Sequence, residues 1–140
     1  MRRFLFGGAR PDSPLFDFGV TSFRVFAGLV LALFYGMMKF PPAEAFVQRV
    51  AGWGFPFPPA FAWASTLTEV VGGVLLAIGL FTRPVAVLIL VQMTVVLTLA
   101  VVGTPFRTQL PALHYVFIGL LFLCIGGGRW SVDNLLRDRE

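Results

Sequence analysis

Side chains that carry charge or titrate are expensive inside hydrocarbon, so each one within a long apolar stretch marks a candidate site. Here they are few: Arg24, Tyr35, Lys39, Glu69, Gln92, His114 and Tyr115. Glu69 is the strongest of them. A carboxyl among apolar groups either pairs with a cation or keeps its proton. Glu69 therefore reads either as half of an ion pair that locks helices together or as a group that handles a ligand or a proton. Ser65, Gly72 and Leu76 share its helical face, which is small enough for another helix to pack closely against. Upstream, Arg24, Gly28, Leu31, Tyr35 and Lys39 form one stripe at helical spacing, with Tyr35 and Lys39 at its far end. His114 and Tyr115 lie a turn or so into a later apolar block, and Arg107 just precedes that block.

If these groups converge, they make a pocket with a carboxyl, an imidazole, two phenols and two cations. Such a pocket suits a small anion or a quinone head group. Glu69 and His114 would be the catalytic pair for proton transfer, and Tyr35, Lys39, Arg107 and Tyr115 would bind the ligand. Arg24 sits at the opposite end of its block. It reads either as a further ligand-binding cation or as an anchor for lipid phosphate or for the carboxyl end of another segment. His114 also has a plainer reading, as a hydrogen-bonded structural residue near a helix end. Gln92 is expected to make an interhelical hydrogen bond. A single histidine and a single cysteine, Cys124, rule out a CxxC pair, a zinc set and bis-histidine haem ligation. Cys124, Met37, Met38 and Met93 are read as packing residues. The cofactor expectation is thus a quinone, with no metal or flavin motif.

The elements that must hold these groups follow from composition. The chain is 57% apolar and only 13% charged, whereas water-soluble domains run near a quarter charged. Four apolar blocks of spanning length stand out, Gly19–Met38, Phe61–Leu80, Pro84–Val102 and Leu110–Gly126. Pro41-Pro42, Thr82-Arg83-Pro84, Gly103-Thr104-Pro105 and Gly126-Gly127-Gly128 end or separate them. The turn at Thr82-Arg83 is so short that the second and third blocks must be antiparallel neighbours. Between the first two blocks, Phe46, Val47, Val50 and Trp53 recur at helical spacing, as in a short helix lying at the membrane interface. Trp53 to Pro59 is expected to be irregular. The fold class is therefore an all-α membrane protein. It is a single-domain bundle of four transmembrane helices with an interfacial helix in the first loop.

The net charge of +4 is no nucleic-acid signal, because the arginines are scattered at block ends. One side collects Arg2, Arg3, Arg10, Arg24, Arg83, Arg129, Arg137 and Arg139; the other has Lys39, Arg49 and Arg107. The positive-inside rule then makes residues 1–18 and 127–140 cytoplasmic tails and the first loop extracytoplasmic. Arg2-Arg3 is read as part of an uncleaved tail rather than a twin-arginine signal. The end after Asp133 reads as a short amphipathic tail.

Three stretches together resemble the DoxX family of small four-helix bacterial membrane proteins. They are Arg24-Val-Phe-Ala-Gly28 running to Tyr35-Gly36-Met-Met-Lys39-Phe40; Glu69-Val-Val-Gly72-Gly73 with Gly79-Leu80-Phe-Thr82-Arg83; and Gly126-Gly127-Gly128-Arg129-Trp130-Ser131-Val132-Asp133. The sequence departs from the family pattern at Tyr35, where histidine is common, and at His114, near a frequent acidic residue. The resemblance implies a bacterial plasma (inner) membrane protein and a redox-associated subunit acting with partners, as in thiosulfate:quinone oxidoreductases. Other relatives imply the alternative, a non-enzymatic membrane partner or chaperone that packs against other membrane proteins. The expected partners are the lipid bilayer, a quinone, and a partner protein or a second copy of the chain.

Overall fold

The computed structural model describes residues 14–137, and all its regular elements are helical. Four helices are long and apolar enough to cross a membrane: α1 (Pro14–Lys39), α3 (Pro58–Ile78), α4 (Thr82–Ala100) and α5 (Phe106–Ile125). Two short ones complete the chain, α2 (Glu44–Gly52) and α6 (Val132–Arg137). This is the expected four-span bundle with a short helix after the first span. The Arg2-Arg3 segment and the last three residues lie outside the described residues.

All four spans are helical earlier than apolar content alone implies. α1 is already helical at Pro14, the first described residue, rather than from Gly19; α5 opens at Phe106, not Leu110; and α3 opens at Pro58, not Phe61, with Pro58 and Pro59 in its first turn. Proline is at home there, because its missing N–H is one of the donors a helix start leaves unpaired. The irregular stretch expected through Pro59 thus stops at Phe57. α4 opens at Thr82 for a different reason: a distant carboxylate caps it.

The surface is the reverse of a soluble protein's. Phe26, Phe34, Val91 and Phe117 are each at least 60% exposed, a distribution that suits lipid contact and not water. Lipid tails are as apolar as leucine, so burial of apolar area does not hold such helices together; close packing of small residues does. α1 and α3 meet in this way. A Cβ on Gly28 would stand 2.5 Å from the Gly73 carbonyl oxygen, and one on Gly73 would stand 2.7 Å from the Ala32 nitrogen. Further along, a Cβ on Gly36 would meet the Val70 nitrogen at 2.7 Å. Backbone against backbone, these contacts fix α1 on α3 over its whole upper half.

α3 packs against α1 on one side and α4 on the other, and α5 packs against α4. The shared core is Leu31, Leu76, Val85, Ala86, Ile89, Met93, Ala112 and Phe122 with Tyr115. α1 and α5 lack a comparable backbone contact and meet through aromatic side chains: Phe23 stacks on Phe122, and Tyr35 meets Tyr115 edge-on. α2 lies across the top of α3, burying Phe46 and Val50 against Ala62. Met93 is buried as expected, but Met37, Met38 and Cys124 face outward. The packing role assigned to those three is corrected: each falls on the lipid side of its helix.

The turn between α3 and α4 shows why these two spans are antiparallel neighbours. Gly79 adopts φ +74°, the left-handed conformation that ends a helix, and the Leu80 and Gly79 amides return to the Leu75 and Leu76 carbonyls. The Asp133 carboxylate then accepts from the Phe81 and Thr82 amides at 2.7 and 2.9 Å, capping α4, while the Asp133 amide donates to the Gly79 carbonyl. Asp133 is 1% exposed, and Ser131 and Asn134 are buried beside it. The stretch from Ser131 to Asn134 is therefore more than the start of a short amphipathic tail. It is a clasp over the α3–α4 turn. Arg24 lies beneath it, donating to the Trp130 and Leu76 carbonyls at 2.8 and 3.3 Å.

Candidate functional site

At the other end of the bundle, α1 departs from ideal geometry. Val30–Gly36 is π-helical and Met37–Lys39 is a tight 3-10 turn. Such insertions recur where a helix must aim a functional side chain. Here the distorted stretch ends on Lys39, held next to α3 by the Gly36–Val70 contact. The Lys39 Nζ donates to both Glu69 oxygens, at 2.6 and 2.7 Å. A third donor comes from α4: Gln92 Nε2 lies 2.8 Å from Glu69 Oε1 and 3.1 Å from Ser65 Oγ. The interhelical bond expected of Gln92 is present, and it ends on the carboxylate.

Glu69 is 2% exposed, while the Lys39 side chain is 32% exposed. The carboxylate is therefore sealed in the bundle and the ammonium reaches the rim, where it also lies 5.6 Å from the centre of the Phe46 ring of α2. A carboxylate accepts only, and this one is supplied with donors from two helices. An ammonium has three N–H groups; two are spent on Glu69, which leaves one.

A cavity of about 210 Å³ opens beside the pair. Its wall is built from Tyr35, Lys39, Glu69 and Met93, closed by Thr108, Pro111 and Tyr115 of α5. Tyr35 and Tyr115 meet edge to face with ring centres 5.8 Å apart. The Tyr115 hydroxyl donates to the Ala27 carbonyl of α1 at 2.9 Å, so its ring is held across the gap between α1 and α5. Pro111 sits inside α5 and has no N–H to give the carbonyl one turn back.

Of the sequence candidates, the structure brings together Tyr35, Lys39, Glu69 and Tyr115. It does not bring in the other three. His114 is exposed on the outer side of α5, with Nδ1 2.8 Å from the Leu110 carbonyl oxygen, and does not line this cavity. One residue of helix, about 100° of rotation, separates its direction from that of Tyr115. Arg107 is exposed at the start of α5, and its neighbour Thr108 faces the cavity instead. Arg24 is buried at the far end, under the clasp. The pocket with an imidazole and two cations is thus replaced by one with a carboxylate, one cation, two phenols and a hydroxyl. Sequence reasoning missed Met93, Thr108 and Pro111 as lining residues. Only Pro111 carried a signal, as a proline inside an apolar block.

The fold and site define a four-span helical membrane protein with an ion pair buried between its first two spans. The chain belongs to the DoxX family, whose model matches residues 19–103. It is similar to Inner membrane protein YphA of Escherichia coli (strain K12), 35% identical over 88 residues that make up 63% of this chain and 58% of that protein. It is also similar to Uncharacterized membrane protein Rv3486 of Mycobacterium tuberculosis (strain ATCC 25618 / H37Rv), 35% identical over 139 residues, with 86% of this chain and 82% of that protein covered. The chain thus spans less than two thirds of YphA and most of Rv3486. No solved structure matches it. The family match takes in α1 to α4 and so includes Tyr35, Lys39, Glu69 and Gln92; Tyr115 on α5 lies beyond it.

Proposed function

We propose that this protein binds a quinone head group beside the Lys39–Glu69 pair and serves as the membrane subunit of a redox complex. The observation that carries the reading is a carboxylate only 2% exposed whose partner ammonium lines the same cavity and has a third N–H beyond the two spent on Glu69. A charged pair in hydrocarbon is costly to keep and by default marks a site. Between the two ligand classes, the geometry favours the quinone. An anion would find a pair whose charges already cancel. A carbonyl oxygen needs one donor, and Lys39 has one; the Tyr35 and Tyr115 rings offer flat walls to a flat head group.

In this reading Lys39 binds the quinone oxygen and Glu69 holds Lys39 in place and exchanges protons with it. Reduction of the quinone to quinol takes up two electrons and two protons; a partner subunit supplies the electrons, since the chain has no motif for an electron carrier. His114, turned away from the cavity, has no part in proton transfer. The membrane is the plasma membrane, in keeping with the name of the relative YphA. The end carrying Arg24, Arg83, Arg129 and Arg137 faces the cytoplasm, which puts the cavity in the outer half. A reporter active only in the cytoplasm, fused after Glu140, is expected to be active; activity of the same reporter in the α1–α2 loop instead would reverse the orientation.

The test is titration of the protein in nanodiscs with tail-less ubiquinone-0. Saturable binding is expected, weakened about tenfold or more by Lys39→Met, since a hydrogen bond to a charged group is worth about 1.5–3 kcal/mol. No saturable binding to the folded wild type would remove the quinone reading and leave the alternative, a bundle that packs against other membrane proteins.

A further inference from the structure

A second cavity of about 400 Å³ lies on the outer surface, in the gap between α1 and α5. Phe23, Phe26 and Val30 line one side, and His114, Ile118 and Leu121 the other. It touches the first cavity at one residue, because Tyr115 lines both. Its direction is informative. From Val30 to Phe23 on α1, and from His114 to Leu121 on α5, it runs seven residues, about 10 Å, away from the Lys39 end and towards the clasp end. The polar cavity is thus near one membrane face, and an apolar groove leads from it towards the middle of the bilayer.

We propose that this groove is the lateral entry of the site and holds the prenyl or alkyl tail of a lipid-soluble ligand while its head group occupies the Lys39–Glu69 cavity. The proposal rests on the head-group reading above. Three features carry it: the gap left where α1 and α5 lack backbone packing, the nearly wholly apolar lining, and the position of Tyr115, which alone is shared by the linings of the two cavities. A ligand carried in the bilayer needs a path to the carboxylate that avoids water, and this gap opens to lipid. Tyr115 stands where head and tail would join, and its bond to the Ala27 carbonyl crosses the gap there. Releasing that bond frees the ring to swing aside.

The groove gives little affinity of its own, since a tail leaving the bilayer exchanges one apolar environment for another. The sharper test is steric. Val30→Trp and Ile118→Trp, made singly at half-buried positions, fill the groove without touching the polar cavity. Binding of ubiquinone-0 and decylubiquinone would be measured in nanodiscs, with the tailed probe expressed per lipid. In the wild type both bind. The filled variants are expected to lose decylubiquinone at least tenfold and to keep ubiquinone-0 within twofold. As a check independent of substitution, a decylubiquinone analogue with a terminal diazirine should label peptides of α1 and α5. Labelling confined to α3 and α4, or equal effects of the fillers on both probes, would overturn the groove while leaving the head-group site in place. Loss of both probes from the wild type would overturn the head-group reading itself.

Discussion

Glu69 and Lys39 are thirty residues apart in the chain and 2.6 Å apart in the bundle. In a low-dielectric interior the attraction between such charges must offset the loss of their hydration, and it does so only with good geometry and further hydrogen bonds. Gln92 provides one of these. The pair's contribution is therefore lopsided: removing one partner strands the other. Lys39→Met alone is expected to destabilise the protein by about 3–5 kcal/mol, and Lys39→Met combined with Glu69→Gln by clearly less. Thermal unfolding of the single and double variants in one detergent checks this. A double variant less stable than both singles would mean that the two residues act independently. Residue type alone marked both as site candidates, because charge in an apolar run is conspicuous in any sequence. His114 and Tyr115 show the limit of that reasoning. They are adjacent and at the same depth, yet only one faces the cavity, since helical phase decides and no alignment of depths reveals it.

At the scale of elements, the four spans were legible from their apolar content and their proline and glycine breaks. Two features were not. The π-helical stretch of α1 leaves no mark in composition, because its cause is tertiary: the backbone contacts of Gly28 and Gly36 with α3 hold α1 in that path. The clasp was hidden for a different reason. Gly126-Gly127-Gly128 reads as the end of the fourth block and a place for a turn, but nothing in it shows that the turn brings Asp133 back to the α3–α4 junction, 51 and 52 residues distant in sequence. A carboxylate that caps a helix from so far away ties three spans together. Asp133→Ala removes both bonds to the α4 amides and is expected to cost about 2–4 kcal/mol. Asp133→Asn, which keeps one acceptor oxygen, should recover part of the loss. A melting temperature unchanged in Asp133→Ala would show the clasp to be incidental.

For the whole molecule, the two ends of the bundle have different tasks. The end with Arg24, the Gly79 turn and Asp133 is closed: Arg24 and Asp133 are buried and bonded to backbone. The end with Lys39 and Glu69 is open to a cavity, with Tyr115 standing between that cavity and the lipid-facing groove. The polar cluster expected from sequence at that end is present in part, reduced to the residues that face inward. The reading as a quinone-binding subunit stands on that cluster, and family membership alone does not select it, because one fold serves several roles. Its most direct test is a native mass spectrum of the protein released from its own membrane with lipids retained. We expect an adduct with the mass of the resident quinone on the wild type, and its absence from Glu69→Gln that remains folded. A spectrum with lipid adducts or a second protein and no quinone, or a quinone adduct that persists in Glu69→Gln, would contradict the assignment of this site.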